Sequence, residues 1–131
     1  MDTELRQLTD MVIENATALL NERDGELTDK QIKAVKTIIA NAEQFLLLCI
    51  EFHAVPLEQI SSHMRHELGN PLTPIRGYSD LLNSGLMGML NALQQESVQI
   101  IFKATDALKN RVEEIVVEAR LQAGIVITKT A

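Results

Sequence analysis

Apolar residues recur in alternating steps of three and four along much of this chain, and that spacing leaves little room for any fold but a bundle of helices. One series runs Ile32, Val35, Ile39, Ala42, Leu46, Cys49 and His53; another runs Val98, Ile101, Thr105, Leu108, Val112, Ile115 and Ala119. Each series is a seam that a helix must bury against neighbours. The scarcity of aromatic residues, 3% with no tryptophan, suits cores built from Leu, Ile, Val, Ala and Met. At 131 residues there is enough chain for one such core and one domain.

Four helices are expected. The first runs from about Thr3 to Glu22, carried by Leu5, Leu8, Val12, Ala16 and Leu19, and Asp24-Gly25 ends it. Thr28-Asp29-Lys30-Gln31 reads as a capping box, with Thr28 as cap, and opens a second helix that reaches about His53. Val55-Pro56 marks the next boundary, and a third helix is expected from about Leu57 to Asn83. Pro71 and Pro74 fall inside it, so a kink is expected just after His66. Gly85 and Gly88 break the chain before a fourth helix from about Asn91 to Ala123, with Gly124 as its stop. The tail Ile125-Val126-Ile127-Thr128 has strand preference but no obvious partner.

The two halves resemble one another. An offset of 62 lays Leu19-Leu20-Asn21 on Leu81-Leu82-Asn83, Ala42 on Ala104 and Leu46 on Leu108. Residues 1–54 then form one hairpin and residues 55–124 a second, leaving 125–131 as a tail. Under this offset Glu4 takes the place of His66 and Thr9 that of Pro71. A short link at His53-Ala54-Val55-Pro56 lets the hairpins pack as one antiparallel, pseudo-symmetric, all-α four-helix bundle.

Chemistry concentrates in Ser62-His63-Met64-Arg65-His66-Glu67-Leu68-Gly69-Asn70-Pro71-Leu72-Thr73. A neutral imidazole attacks phosphorus through one ring nitrogen while an acceptor holds the other N–H, and Glu67 is the nearest candidate acceptor for His66. At roughly 100° per residue, His66, Asn70, Thr73 and Gly77 share one stripe. Ile60, Met64, Leu68, Ile75 and Leu82 fall mostly opposite, so burying them turns His66 outward. His63 and His66 at a spacing of three could share a face for a metal, but further ligands are missing and the order is not the zinc-protease His-Glu-x-x-His, so no metal site is expected.

The same stretch, with Pro74-Ile75-Arg76-Gly77-Tyr78-Ser79-Asp80-Leu81-Leu82 after it, resembles the H-box of histidine-kinase dimerisation and phosphoacceptor (HisKA) domains, and Ala119 to Gly124 resembles their closing segment. The resemblance implies that His66 is the phosphoacceptor, that Glu67 assists proton handling, and that Asn70 places water for dephosphorylation of a bound regulator. It implies a partner-binding face that takes in Arg65, Gly69, Thr73, Arg76 and Gly77. Gly69 stands where the family usually has a basic residue, and Pro74 is an additional proline.

Family members usually carry an ATP-binding domain behind this hairpin. No Gly-rich nucleotide lid or Asn-bearing helix is found here, so the chain is expected to bind no cofactor itself and to meet Mg-ATP only through a partner kinase domain. Whether it counts as an enzyme, a phosphotransferase, is left open. The expected function is that of a histidine phosphotransfer module of two-component signalling, a phosphoprotein of a phosphorelay. The expected partners are a response-regulator receiver domain and a kinase ATP-binding domain, and homodimerisation is left open. The competing reading is a non-catalytic protein that occupies a kinase or response regulator through the same face.

A net charge of −6 argues against nucleic-acid binding. No apolar run approaches the roughly 20 residues of a membrane span, and the start Met1-Asp2-Thr3-Glu4 is unlike a signal peptide, so a cytoplasmic protein is expected. Cys49, alone in an apolar run, is expected to be a buried reduced thiol.

Overall fold

The computed structural model describes residues 2–56 and 62–122. Four helices account for nearly all of them: α1 (Thr3–Leu20), α2 (Asp29–His53), α3 (Ser62–Ser84) and α4 (Ala92–Gln122), and no strand occurs among the described residues. Each helix packs on two others, α1 and α3 both lying against α2 and α4. The arrangement is a four-helix bundle in which the two helices of each hairpin are neighbours. The expected third-helix start at Leu57, Ile60 and the tail from Ala123 onward lie outside the described residues.

Local signals explain the helix ends. Asp2 caps α1 by accepting from the Leu5 amide at 3.0 Å. Thr28 and Gln31 form the expected capping box on α2, and Asn91 with Gln94 makes the same reciprocal pair at the start of α4, at 3.0 and 2.8 Å. α1 stops at Leu20, two residues short of expectation, because the chain turns and Glu22 takes φ 57°. α3 runs through both prolines as one helix, with Pro71 buried. The prolines remove the amides that would reach the carbonyls of Glu67 and Asn70, both close to the site.

Burial corrects the register of the seams. In α2 the core residues are Gln31, Ala34, Val35, Ile38, Ala42, Phe45 and Cys49, while Ile32, Ile39 and Leu46 are half-buried and His53 is exposed. α1 buries Thr9 where Leu8 was expected, and α4 buries Val116 in preference to Ile115. A second apolar row runs beside each seam, so spacing alone did not choose between adjacent rows. Thr9, Ser79 and Thr105 are tolerated in the core because each hydroxyl donates to the carbonyl four residues back, Thr9 Oγ1 to Leu5 at 2.6 Å.

The two hairpins match at an offset of 63 and not 62. Leu5, Val12, Ala16 and Leu19 correspond to Leu68, Ile75, Ser79 and Leu82, and the seven core residues of α2 correspond to Gln94, Ser97, Val98, Ile101, Thr105, Leu108 and Val112. The loops confirm it through reciprocal bonds. Thr28 Oγ1 donates to the Met87 carbonyl at 2.8 Å and Asn91 Nδ2 to that of Asp24 at 2.6 Å. Gln31 Nε2 reaches the Gly88 carbonyl at 3.0 Å, and Gln94 Nε2 that of Glu26 at 3.2 Å. At the opposite end Arg111 of α4 grips Asp2, Nη2 to Oδ2 at 2.7 Å, and this pairing holds the Asp2 carboxyl below its ordinary range.

Gly25 and Gly88 make the loop contact feasible. Their φ values are 138° and 124°, and a Cβ would come within 2.9 Å of Asn91 Nδ2 and of Thr28 Cγ2 respectively. Gly88→Ala is expected to cost about 2 kcal/mol in urea denaturation. Gly85→Ala, at φ 82° with open space around it, should cost distinctly less. Asp2→Asn keeps a capping side chain but loses the ion pair. Because the Asp2 pKa is depressed in the folded state, the pair stabilises above the ordinary aspartate pKa and loses its effect as pH falls through the lowered value. The wild type should therefore exceed the variant by about 1 kcal/mol at neutral pH, a gap closing in acid melts below about pH 4.

Candidate functional site

α3 sends Met64, Leu68, Leu72, Ile75 and Leu82 into the core. The opposite side faces outward, so His66, Asn70, Thr73 and Gly77 are all exposed along one stripe, as their spacing predicts. α4 forms the far wall of an open groove of about 840 Å³ beside this stripe, contributing Phe102, Asp106, Lys109 and Glu113. His66 sits on its rim.

Two arginines reach across the groove. Arg76 Nε lies 2.9 Å from Asp106 Oδ1, and its guanidinium carbon stands 5.2 Å from the centre of the Phe102 ring. Arg65 Nε meets Glu113 Oε2 at 3.0 Å, shielded from solvent but off the angle of a hydrogen bond, so the contact is chiefly electrostatic. Both charges are therefore partnered inside the chain rather than simply solvated. The bridges also mark the antiparallel register of the hairpin, which sets Lys109 opposite the stretch from Gly69 to Thr73.

The geometry separates Glu67 from its expected role. Its Oε1 is 2.8 Å from Nε2 of His63, one helical turn back, and it does not hold the His66 ring. Residues four apart on a helix face each other, whereas adjacent ones diverge by about 100°. Among the described residues no hydrogen bond or ion pair engages His66, whose ring is open to an incoming group. Gly69 lies on the groove wall, where an added Cβ would meet nothing within 4 Å. On the other flank of α3 a polar recess of about 310 Å³ is bordered by Asn41, Gln44, Glu67 and Asn70, so the first hairpin also reaches the neighbourhood of the site.

Among the described residues no three His, Cys, Asp or Glu side chains gather to hold a metal ion. Cys49 is buried, and burial pushes its thiol up to about 12, which suppresses thiolate chemistry. No described helix is long and apolar enough to cross a membrane.

The α4 wall was missed in the sequence. Phe102, Asp106, Lys109 and Glu113 carry no motif, and the signal that finds them is positional: counting back from the Gly85-Gly88 turn along an antiparallel partner. The family model described as His Kinase A (phospho-acceptor) domain matches residues 57–124, which is just over half of the chain. Comparison with curated proteins and with solved structures gave no match.

Since Gly69 has open space around it and lies mid-helix, Gly69→Ala should raise stability by about 1 kcal/mol in thermal or urea unfolding. An unchanged or lowered stability would show that the backbone there is not the regular helix described.

Proposed function

We infer the function from one premise: the chain belongs to the His Kinase A (phospho-acceptor) domain family, whose role is that of a phosphoacceptor in two-component signalling. His66 takes up a phosphoryl group and exchanges it with the aspartate of a response-regulator receiver domain. The observation that carries this reading is the exposed His66 on the rim of an open groove, flanked by Asn70 and Thr73 with no bulky neighbour on the stripe.

The chemistry asks little of the chain beyond positioning. A neutral His66 nitrogen attacks phosphorus, the P–N bond forms as the bond to the donor oxygen breaks, and the ring proton leaves to an acceptor or water. In the onward step a receiver carboxylate attacks, the P–N bond breaks, and an acyl phosphate forms. Mg-ATP enters through a partner kinase domain. Glu67 serves proton handling if a docking partner draws it away from His63, since their contact is exposed and weak to break. Asn70, exposed on the same stripe, orients a water toward the bound receiver's phosphate. The α3 side of the groove, with Gly69, Thr73 and Gly77, lets a receiver helix approach closely, while Arg65 and Arg76 can exchange their internal carboxylates for a partner's.

One observation favours the competing reading, a non-catalytic protein that occupies a kinase or regulator through this face: Glu67 is already engaged by His63. The two are separated by incubating the purified chain with phosphorylated receivers and with isolated kinase ATP-binding domains plus Mg-ATP. Acid-labile, alkali-stable label is expected on the wild type and absent from His66→Ala, whose helicity should be unchanged because the side chain is exposed. Tight binding without label from any donor would establish the non-catalytic reading.

A further inference from the structure

We propose that Lys109 of α4 is the cation that holds the phosphoryl group carried by His66, and that Gly69 leaves the space this group occupies. The inference rests on His66 being the phosphoacceptor. It starts from the charge a phosphoryl group brings, about −1.5 to −2 near neutral pH, which needs a counter-charge when it stands over a helix wall. On its own helix the neighbours of His66 along the groove toward the C-terminus are Gly69, Asn70 and Thr73, none of them charged, and the one charged neighbour, Arg65, is paired with Glu113 of α4.

The groove offers three candidates besides the histidine: Arg65, Arg76 and Lys109. Within the chain each arginine already has a carboxylate partner, Arg65 in Glu113 at 3.0 Å and Arg76 in Asp106 at 2.9 Å, so a phosphoryl group would have to compete for either of them. Asp106 and Glu113 are the acidic neighbours of Lys109 on α4, one turn to either side, and each is already occupied by an arginine. No ion pair joins Lys109 to any described residue, and its side chain is exposed. The antiparallel register places it across from Gly69 to Thr73, in the groove that His66 also lines, so that its four-carbon stem can extend along the groove toward the histidine.

Space is the second requirement. Any side chain at Gly69 would project onto the groove wall one turn from His66, and none is there: a Cβ would find nothing within 4 Å. A phosphoryl group can therefore lean from the imidazole toward α4, and the ammonium of Lys109, a compact charge with three donors, can meet it. Having the cation on α4 ties phosphate retention to the pairing of α3 with α4. A movement between the two helices would release the group.

The test uses phosphoramidate, a small donor that transfers its phosphoryl group to histidine with loss of ammonia and needs no partner protein. Wild type, Lys109→Gln, Lys109→Arg and His66→Ala are treated alike, with circular dichroism to confirm helicity. The titration of the phosphohistidine is followed by its 31P shift. Lys109→Gln should raise the midpoint of the phosphoryl ionisation by about half a unit, with Lys109→Arg close to wild type and the difference shrinking as salt is added. Gly69→Leu, whose Cβ would meet nothing within 4 Å, should slow labelling by about tenfold while circular dichroism shows the helicity kept. Identical midpoints for wild type and Lys109→Gln would overturn the role of Lys109 and leave His66 as the acceptor. Absence of a phosphohistidine signal in the wild type would overturn both.

Discussion

Two loops that carry glycine at their point of contact determine how this chain closes on itself. A side chain at Gly25 or Gly88 would run into the capping residues of the opposite hairpin. Without one, the caps of α2 and α4 reach across and bond to the facing loop: Thr28 and Gln31 to carbonyls of the second hairpin, Asn91 and Gln94 to carbonyls of the first. Helix capping and hairpin docking are thus performed by the same four side chains. Gln31 and Gln94 can be buried for this reason, since each is satisfied on both sides, by its own helix terminus and by its neighbour's loop.

This contact makes the chain a bundle with an approximate two-fold and one chemically distinct face. At the offset of 63, His66 corresponds to Thr3, Asn70 to Gln7 and Pro71 to Leu8. The first hairpin keeps the buried positions that pack the second but none of the residues that would take a phosphoryl group. It contributes packing against α3 and α4, and through Asn41 and Gln44 it borders the recess beside Glu67 and Asn70. A bundle of this form buries the seams of both hairpins against each other, and the acceptor role proposed for His66 has no counterpart in the first hairpin.

The architecture was legible because periodicity, capping chemistry and the breaks at Gly25, Pro56 and Gly85-Gly88 all point the same way. The His66 stripe was legible because 3.6-residue geometry needs no partner to be applied. What could not be read were choices made between helices. Ile32, Ile39 and Leu46 form as regular a seam as Gln31, Val35, Ile38 and Phe45, and only the neighbouring helices select the latter. Matching Leu-Leu-Asn in the two halves suggested the offset of 62, yet burial pairs Leu19 with Leu82. Glu67 looked like the partner of His66 by adjacency in sequence, but a helix pairs it with His63.

The α3–α4 wall shows why a phosphoacceptor surface can be so sparsely furnished. Phosphoryl transfer gains most from alignment and from charges already in place. A buried site would need to satisfy every polar group in advance, whereas a surface groove leaves part of that to the partner. Here the two internal bridges, Arg65 to Glu113 and Arg76 to Asp106, keep α3 and α4 in register while the groove is unoccupied. Being partly exposed, such pairs contribute about 1 kcal/mol each, so an acidic partner surface would displace them at little cost. The same weakness that makes them poor contributors to stability would let them open and re-form with each docking of the proposed receiver.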